Sequence, residues 1–169
     1  LVNVTPWGKC DRGPYPTARS LAADGGMETL AVAPICGARF VADNDGIVRF
    51  AHATDEDLKA KVYYRPNAST NWELLFDEGQ TQRIDRPLRF TRDNKKVYFA
   101  CPVEQKAGGV CVWDVATRKM DTLLSGSDAD VDGPKSEPAR IDTEKKLYGE
   151  RSITKRLART VFFGAAPTI

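Results

Sequence analysis

Apolar residues along this chain fall in short runs rich in β-branched and aromatic side chains, each closed by polar turn residues. No window holds the 3.6-residue spacing over the roughly ten positions that a helix needs. The pattern predicts strands over residues 38–42, 47–51, 61–65 and 72–76, and again over 87–91, 97–101, 110–115 and 120–124. In residues 97–101, Val97, Phe99 and Cys101 share one face of the strand. Asp43-Asn44-Asp45-Gly46 has the Asp/Asn-Gly chemistry of a tight hairpin turn, in which glycine accepts a positive φ. The stretch 92–96 reads as a turn of the same kind, 116–119 as another, and Gly108-Gly109 as a loop between strands.

The two groups of four strands are copies. Sliding the chain by 50 places sets Arg39-Phe40-Val41-Ala42-Asp43-Asn44 over Arg89-Phe90-Thr91-Arg92-Asp93-Asn94, with four identities in the six pairs. The same step sets Val62-Tyr63 over Val112-Trp113, and a second step carries Lys96-Val97-Tyr98 onto Lys146-Leu147-Tyr148. Four-stranded antiparallel units recurring at about 40 to 50 residues are the signature of propeller blades, each covering the apolar face of the next. The expected fold is therefore all-β, a partial β-propeller. We expect an incomplete blade over 1–34 with an insert at 6–26, full blades over 35–80 and 81–128, and an incomplete blade over 129–169. The first would hold two strands, at 1–5 and 28–32, and the last strands at 139–142, 147–153 and 159–163.

Charge narrows the partners. With 25 Lys and Arg against 23 Asp and Glu, the formal charge of +2 leaves no electrostatic footprint for nucleic acid or an anionic membrane. Residues 135–169 hold eight Lys/Arg and four Asp/Glu, but these are interspersed along strands and turns with no aromatic-plus-basic RNA motif. No window approaches the roughly 18 apolar residues of a membrane helix. A composition of 41% hydrophobic and 28% charged residues suits a chain that folds around a core. The four cysteines, Cys10, Cys36, Cys101 and Cys111, include no C-x-x-C pair, and one histidine leaves no Cys₂His₂ zinc site. Cys101 and Cys111 end and begin neighbouring strands, which makes a cross-strand pair conceivable; reduced, half-buried thiols are the favoured expectation for all four.

Taken in order, the run 37–51, then Val62-Tyr63-Tyr64-Arg65, Trp72-Glu73-Leu74-Leu75, Val112-Trp113-Asp114-Val115-Ala116-Thr117 and Asp130-Val131-Asp132-Gly133, resembles the propeller of bacterial prolyl-oligopeptidase-type serine peptidases, peptidase family S9. The resemblance covers about residues 28–163, while residues 6–26 match nothing in it. It implies a propeller that sits on a C-terminal α/β-hydrolase domain and restricts that domain to peptide substrates. It also implies a bacterial source, with cytoplasm and periplasm both open. This chain has no G-x-S-x-G nucleophile elbow, so no catalytic residue carries over.

Candidate chemistry is sparse. His52 follows a predicted strand and precedes the acidic Asp55-Glu56-Asp57 loop; with no positioned nucleophile it reads as a solvated or strand-end histidine. Asp128-Ala129-Asp130-Val131-Asp132-Gly133 opens like an EF-hand loop, but the twelfth position is Ala139 where a bidentate Glu is needed, so it reads as a connection between blades. Trp72, Trp113, Tyr63, Tyr64 and Phe162 read as packing between sheets. The sequence thus assigns no catalytic, cofactor-binding or metal-ligating residue. Two functions remain: the peptide-gating propeller of a hydrolase, and a stand-alone β-sheet module that binds partners, or copies of itself, through loops and open strand edges.

Overall fold

The computed structural model describes residues 1–7, 10, 14–103, 106–125, 150–153 and 158–161. The first sheet has three antiparallel strands in chain order, β1 (Val2–Val4), β2 (Thr17–Leu21) and β3 (Met27–Val32). The second has four, β4 (Arg39–Ala42), β5 (Val48–Thr54), β6 (Ala60–Tyr64) and β7 (Glu73–Asp77). After the single helical turn α1 (Glu78–Thr81), the third repeats this meander with β8 (Arg86–Phe90), β9 (Lys96–Val103), β10 (Lys106–Asp114) and β11 (Met120–Ser125). A two-stranded ladder of β12 (Glu150–Ile153) and β13 (Ala158–Val161) follows. The expected all-β architecture of successive four-stranded antiparallel units is present, and the eight strands expected in the two full copies all form.

Three expectations change. The first sheet has a strand more than expected, because β2 lies inside the stretch read as an insert. Ala18 and Ala31, which are paired across β2 and β3, bury their small side chains against Val48 of the second sheet, so packing rather than β propensity makes this strand. Gly108 and Gly109 belong to β10 and not to a loop; Lys106 pairs with Val103 and Gly109 with Cys101, with a register shift between them. The buried residues of the two copies are also spaced by 49 and not 50: Val48 with Val97, Phe50 with Phe99 and Tyr64 with Trp113. The expected strand at 139–142, the EF-hand-like run and Phe162 lie outside the described residues.

The cysteines require the largest correction. Cys10 is bonded to Cys36 and Cys101 to Cys111, and no free cysteine is left. In the β9–β10 ladder Gly109 is the direct partner of Cys101, and Cys111, two residues further, reaches it diagonally across a Cα–Cα distance of 5.9 Å. Cys10 meets Cys36, 26 residues away, through the connection from β3 to β4, which no local pattern predicts.

Four of the turns are closed by an aspartate carboxylate of their own. Asp43 accepts hydrogen bonds from the backbone N–H of Asp45 and Ile47, and its carbonyl accepts from Gly46, which sits at φ +82°. Asp55 does the same for Asp57 and Lys59, Asp93 for Lys95, and Asp114 for Ala116 and Thr117. Hydrogen-bond donors hold three of these carboxyls below the usual carboxylate range: the Lys59 N–H and then Lys61 for Asp55, the Thr91 hydroxyl and then the Lys95 N–H for Asp93, and the Thr117 N–H and then its hydroxyl for Asp114.

The chain divides into two compact units, Leu1–Arg89 and Phe90–Ile169. Within the first, Leu30, Phe40 and Trp72 flank the Ala18–Ala31–Val48 cluster, and the Phe50 and Tyr64 rings meet at a tilt of 48° with centroids 5.0 Å apart. Arg65, only 6% exposed, stitches the two sheets together. It donates from Nε to Val48 O at 2.8 Å, from Nη1 to Ala68 O at 3.1 Å and from Nη2 to Leu30 O at 3.1 Å, while its guanidinium carbon lies 4.7 Å from the Trp72 ring centroid. Trp72 in turn donates from Nε1 to Val32 O at 2.8 Å. Within the second unit, Val97, Phe99, Val110 and Trp113 are buried, and Phe99 meets Trp113 edge-on at 6.5 Å.

Candidate functional site

A cleft of about 510 Å³ opens in the first unit at the end of the β5–β6 hairpin. Its apolar wall is Tyr15, which leads into β2, with Pro34 and Ile35 from the connection between β3 and β4. Gly37 turns that connection at φ +65°, and Cys36 places the Cys10 disulfide against the cleft. The Pro16 carbonyl accepts from Ala33 N–H at 2.8 Å, which sets the β2 entry beside the connection. The opposite lip is Asp55, Glu56 and Asp57 at the hairpin tip.

The three acids differ in what holds them. Asp55 is committed to its turn and to Lys61, whose Nζ stands 3.0 Å away and also reaches Asp77 at 3.9 Å. Its pKa is lowered first by the Lys59 backbone N–H and then by the Lys61 hydrogen bond, and that bond raises Lys61 in return. Lys59 pairs with Glu78 at 3.6 Å. Glu56 and Asp57 are exposed, and among the described residues no ion pair engages their carboxylates. The cleft therefore combines an apolar wall with two uncompensated negative charges, a chemistry suited to a cationic group carried on an apolar or extended stem.

His52 lies elsewhere. It sits inside β5 rather than beyond it, opposite Arg39 of β4 in the ladder. Burial, then Arg86 and Arg39, push its pKa down to about 4, so it is neutral at neutral pH rather than a solvated, titrating histidine. Arg49 is a structural hub: it donates to Asp43 at 3.2 Å, to the Tyr64 hydroxyl at 2.6 Å and to Arg65 O at 3.1 Å. Trp113 and Tyr64 are buried as packing residues, as their positions in the strands suggested. Among the described residues no group of three or more His, Cys, Asp or Glu is placed to hold a metal, and no helix is long and apolar enough to cross a membrane.

Sequence reasoning singled out the acidic loop 55–57 but gave it no partner surface. It missed Tyr15 and Ile35, because the wall is made by segments that meet only in the folded unit.

The repeated meanders, with the first two sheets stacked through Ala31, Val48 and Trp72, define a fold of the β-propeller type. No protein-family model matches the chain, and no curated protein matches it. Among solved structures the chain is similar to TolB from Acinetobacter baumannii, with a TM-score of 0.47 and 14% identity over 72% of this chain. The match covers 30% of that TolB chain. The resemblance to S9 peptidases finds no support in these comparisons.

Proposed function

We propose that this chain is a protein-interaction module of the β-propeller type, which takes an extended segment of basic and apolar residues from a partner in its acidic-lipped cleft. The observation that carries the reading is the pairing of an apolar wall, Tyr15, Pro34 and Ile35, with the uncommitted carboxylates of Glu56 and Asp57. A Lys or Arg stem would lie along the wall and place its charge at the lip. An acetylated Lys-Leu-Lys-Leu peptide, titrated calorimetrically, is expected to bind, and its Glu-Leu-Glu-Leu counterpart is not. The double substitution Glu56→Gln, Asp57→Asn should weaken binding roughly tenfold, equal to about 1.4 kcal/mol, and reduce its salt dependence. Equal binding of the acidic peptide, or no effect of the substitutions, would refute the reading.

A finer version makes the module the gate of an α/β-hydrolase domain that follows it in a longer polypeptide, the bound segment then being a peptide substrate. Its support is the order of motifs from residue 37 to residue 133. The test is whether the parent polypeptide continues into a domain with a G-x-S-x-G elbow.

Open strand edges offer a second route to association. The first sheet has three strands where the second has four; β3 lies beside the end of β6 through Arg65 and Leu30, while Asn3 of β1 donates to Ala38 O just before β4. β1 and β3 are thus the two edge strands of the first sheet, and backbone groups on them can pair with another copy. Light scattering after size exclusion should give a mass that rises with concentration; monomer throughout would count against it. Pairing of all four cysteines further supports an oxidising compartment, the periplasm of a bacterial cell rather than its cytoplasm.

A further inference from the structure

The two disulfides occupy opposite environments. Cys101 and Cys111 are 3% and 1% exposed, inside a ladder that already holds their strands together through Gly109–Cys101 and Cys111–Phe99 pairing. Cutting that bond frees no segment. Cys10 and Cys36 are only partly buried, and Cys36 lines the cleft. Their bond ties the chain between β1 and β2, which carries Tyr15, to the connection that carries Pro34 and Ile35. Both sides of the apolar wall are therefore joined by one covalent bond that opens onto the space they enclose.

We propose that the Cys10–Cys36 disulfide is a redox latch on the cleft, opened selectively by an external dithiol while Cys101–Cys111 stays closed. The proposal deepens the docking reading above and rests on it for its effect on the partner. A thiolate of the dithiol attacks Sγ of Cys36, the sulfur at the cleft; the Cys10–Cys36 bond breaks and Cys10 leaves as a thiolate that takes up a proton. The second thiol of the reagent, as its thiolate, then attacks the mixed disulfide at the reagent's own sulfur. It closes the reagent's disulfide and releases Cys36, which is protonated in turn. The dithiol loses two electrons and the protein disulfide gains them. With the bond cut, the Tyr15 side of the wall keeps the Pro16–Ala33 and Asn3–Ala38 hydrogen bonds but not the closure of a 26-residue separation.

The test uses the oxidised full chain. Dithiothreitol is titrated in, free thiols are trapped with iodoacetamide, and peptide mapping locates the label. Cys10 and Cys36 are expected to be labelled at least about tenfold faster than Cys101 and Cys111. Selective reduction should speed amide hydrogen exchange at Tyr15, Ala33 and Ile35, and weaken the Lys-Leu-Lys-Leu peptide by about fivefold or more. Labelling of the four cysteines together, or of Cys101 and Cys111 first, would overturn the proposal. So would selective reduction with unchanged exchange at the wall. If the oxidised protein binds no peptide, the docking reading fails, and the latch is judged on labelling and exchange alone. The double variant Cys10→Ser, Cys36→Ser should show the fast exchange without dithiol; if it does not fold, the titration of the unaltered protein decides.

Discussion

Replacing Arg65 with alanine should lower the unfolding free energy of the first unit by about 3–5 kcal/mol. The guanidinium satisfies three carbonyls at once, on Leu30, Val48 and the turn at Ala68, and lies over Trp72. Alanine leaves those acceptors inside the structure without their donors, each at about 1–3 kcal/mol, and opens space beside the indole. Lysine keeps the charge but cannot reach three diverging acceptors, so Arg65→Lys should recover only part of the loss. Urea unfolding followed by tyrosine and tryptophan fluorescence measures both. A cost below about 1 kcal/mol for Arg65→Ala would show that Arg65 does not bridge the sheets.

Acidification should destabilise the first unit through His52 well before the carboxylates respond. The folded pKa of about 4 lies below the unfolded value of 6.5, so the neutral imidazole contributes stability that is complete above the unfolded value and is lost as pH falls towards the folded one. The cost amounts to about 2 kcal/mol by about pH 5 and about 3 kcal/mol by about pH 4. The groups that face it are both cationic, Arg39 opposite it on β4 and Arg86 of β8, and they make the imidazolium still less welcome than burial alone does. Asp55, Asp93 and Asp114 have lowered pKa values, so their contribution persists until pH falls below their ordinary range near 3.8 and does not overlap this window. Unfolding midpoints at about pH 7.5 and about pH 5 should therefore differ for the native chain and nearly coincide for His52→Gln. An equal pH dependence in the two would assign the effect elsewhere.

The hairpins were legible because their signals are local. Asp43, Asp93 and Asp114 close turns within a few residues of themselves, and the runs beside them alternate over short stretches that fit strands. The repeat was legible too, but its offset followed the identities around Phe40 and Phe90, whereas the buried Phe50, Phe99, Tyr64 and Trp113 obey a spacing one residue shorter. β2 escaped notice because Thr17-Ala18-Arg19-Ser20-Leu21 lacks a β-branched run and stands after Pro14 and Pro16; what makes it a strand is the fit of Ala18 against Val48. The Cys10–Cys36 bond, the wall of Tyr15 and Ile35, and the reach of Arg65 to Leu30 depend on segments 20 to 35 residues apart. Such proximity exists only after the sheets stack, so no spacing rule along the chain could have supplied it.

Because each aspartate finishes its reversal with amides of its own turn, the instruction to fold back travels with a stretch of about fifty codons and asks nothing of its neighbours. A gene of this kind can grow by copying that stretch in tandem. Each new copy arrives with its turns already specified, and selection has only the seams between sheets, residues such as Arg65 and Trp72, left to refine.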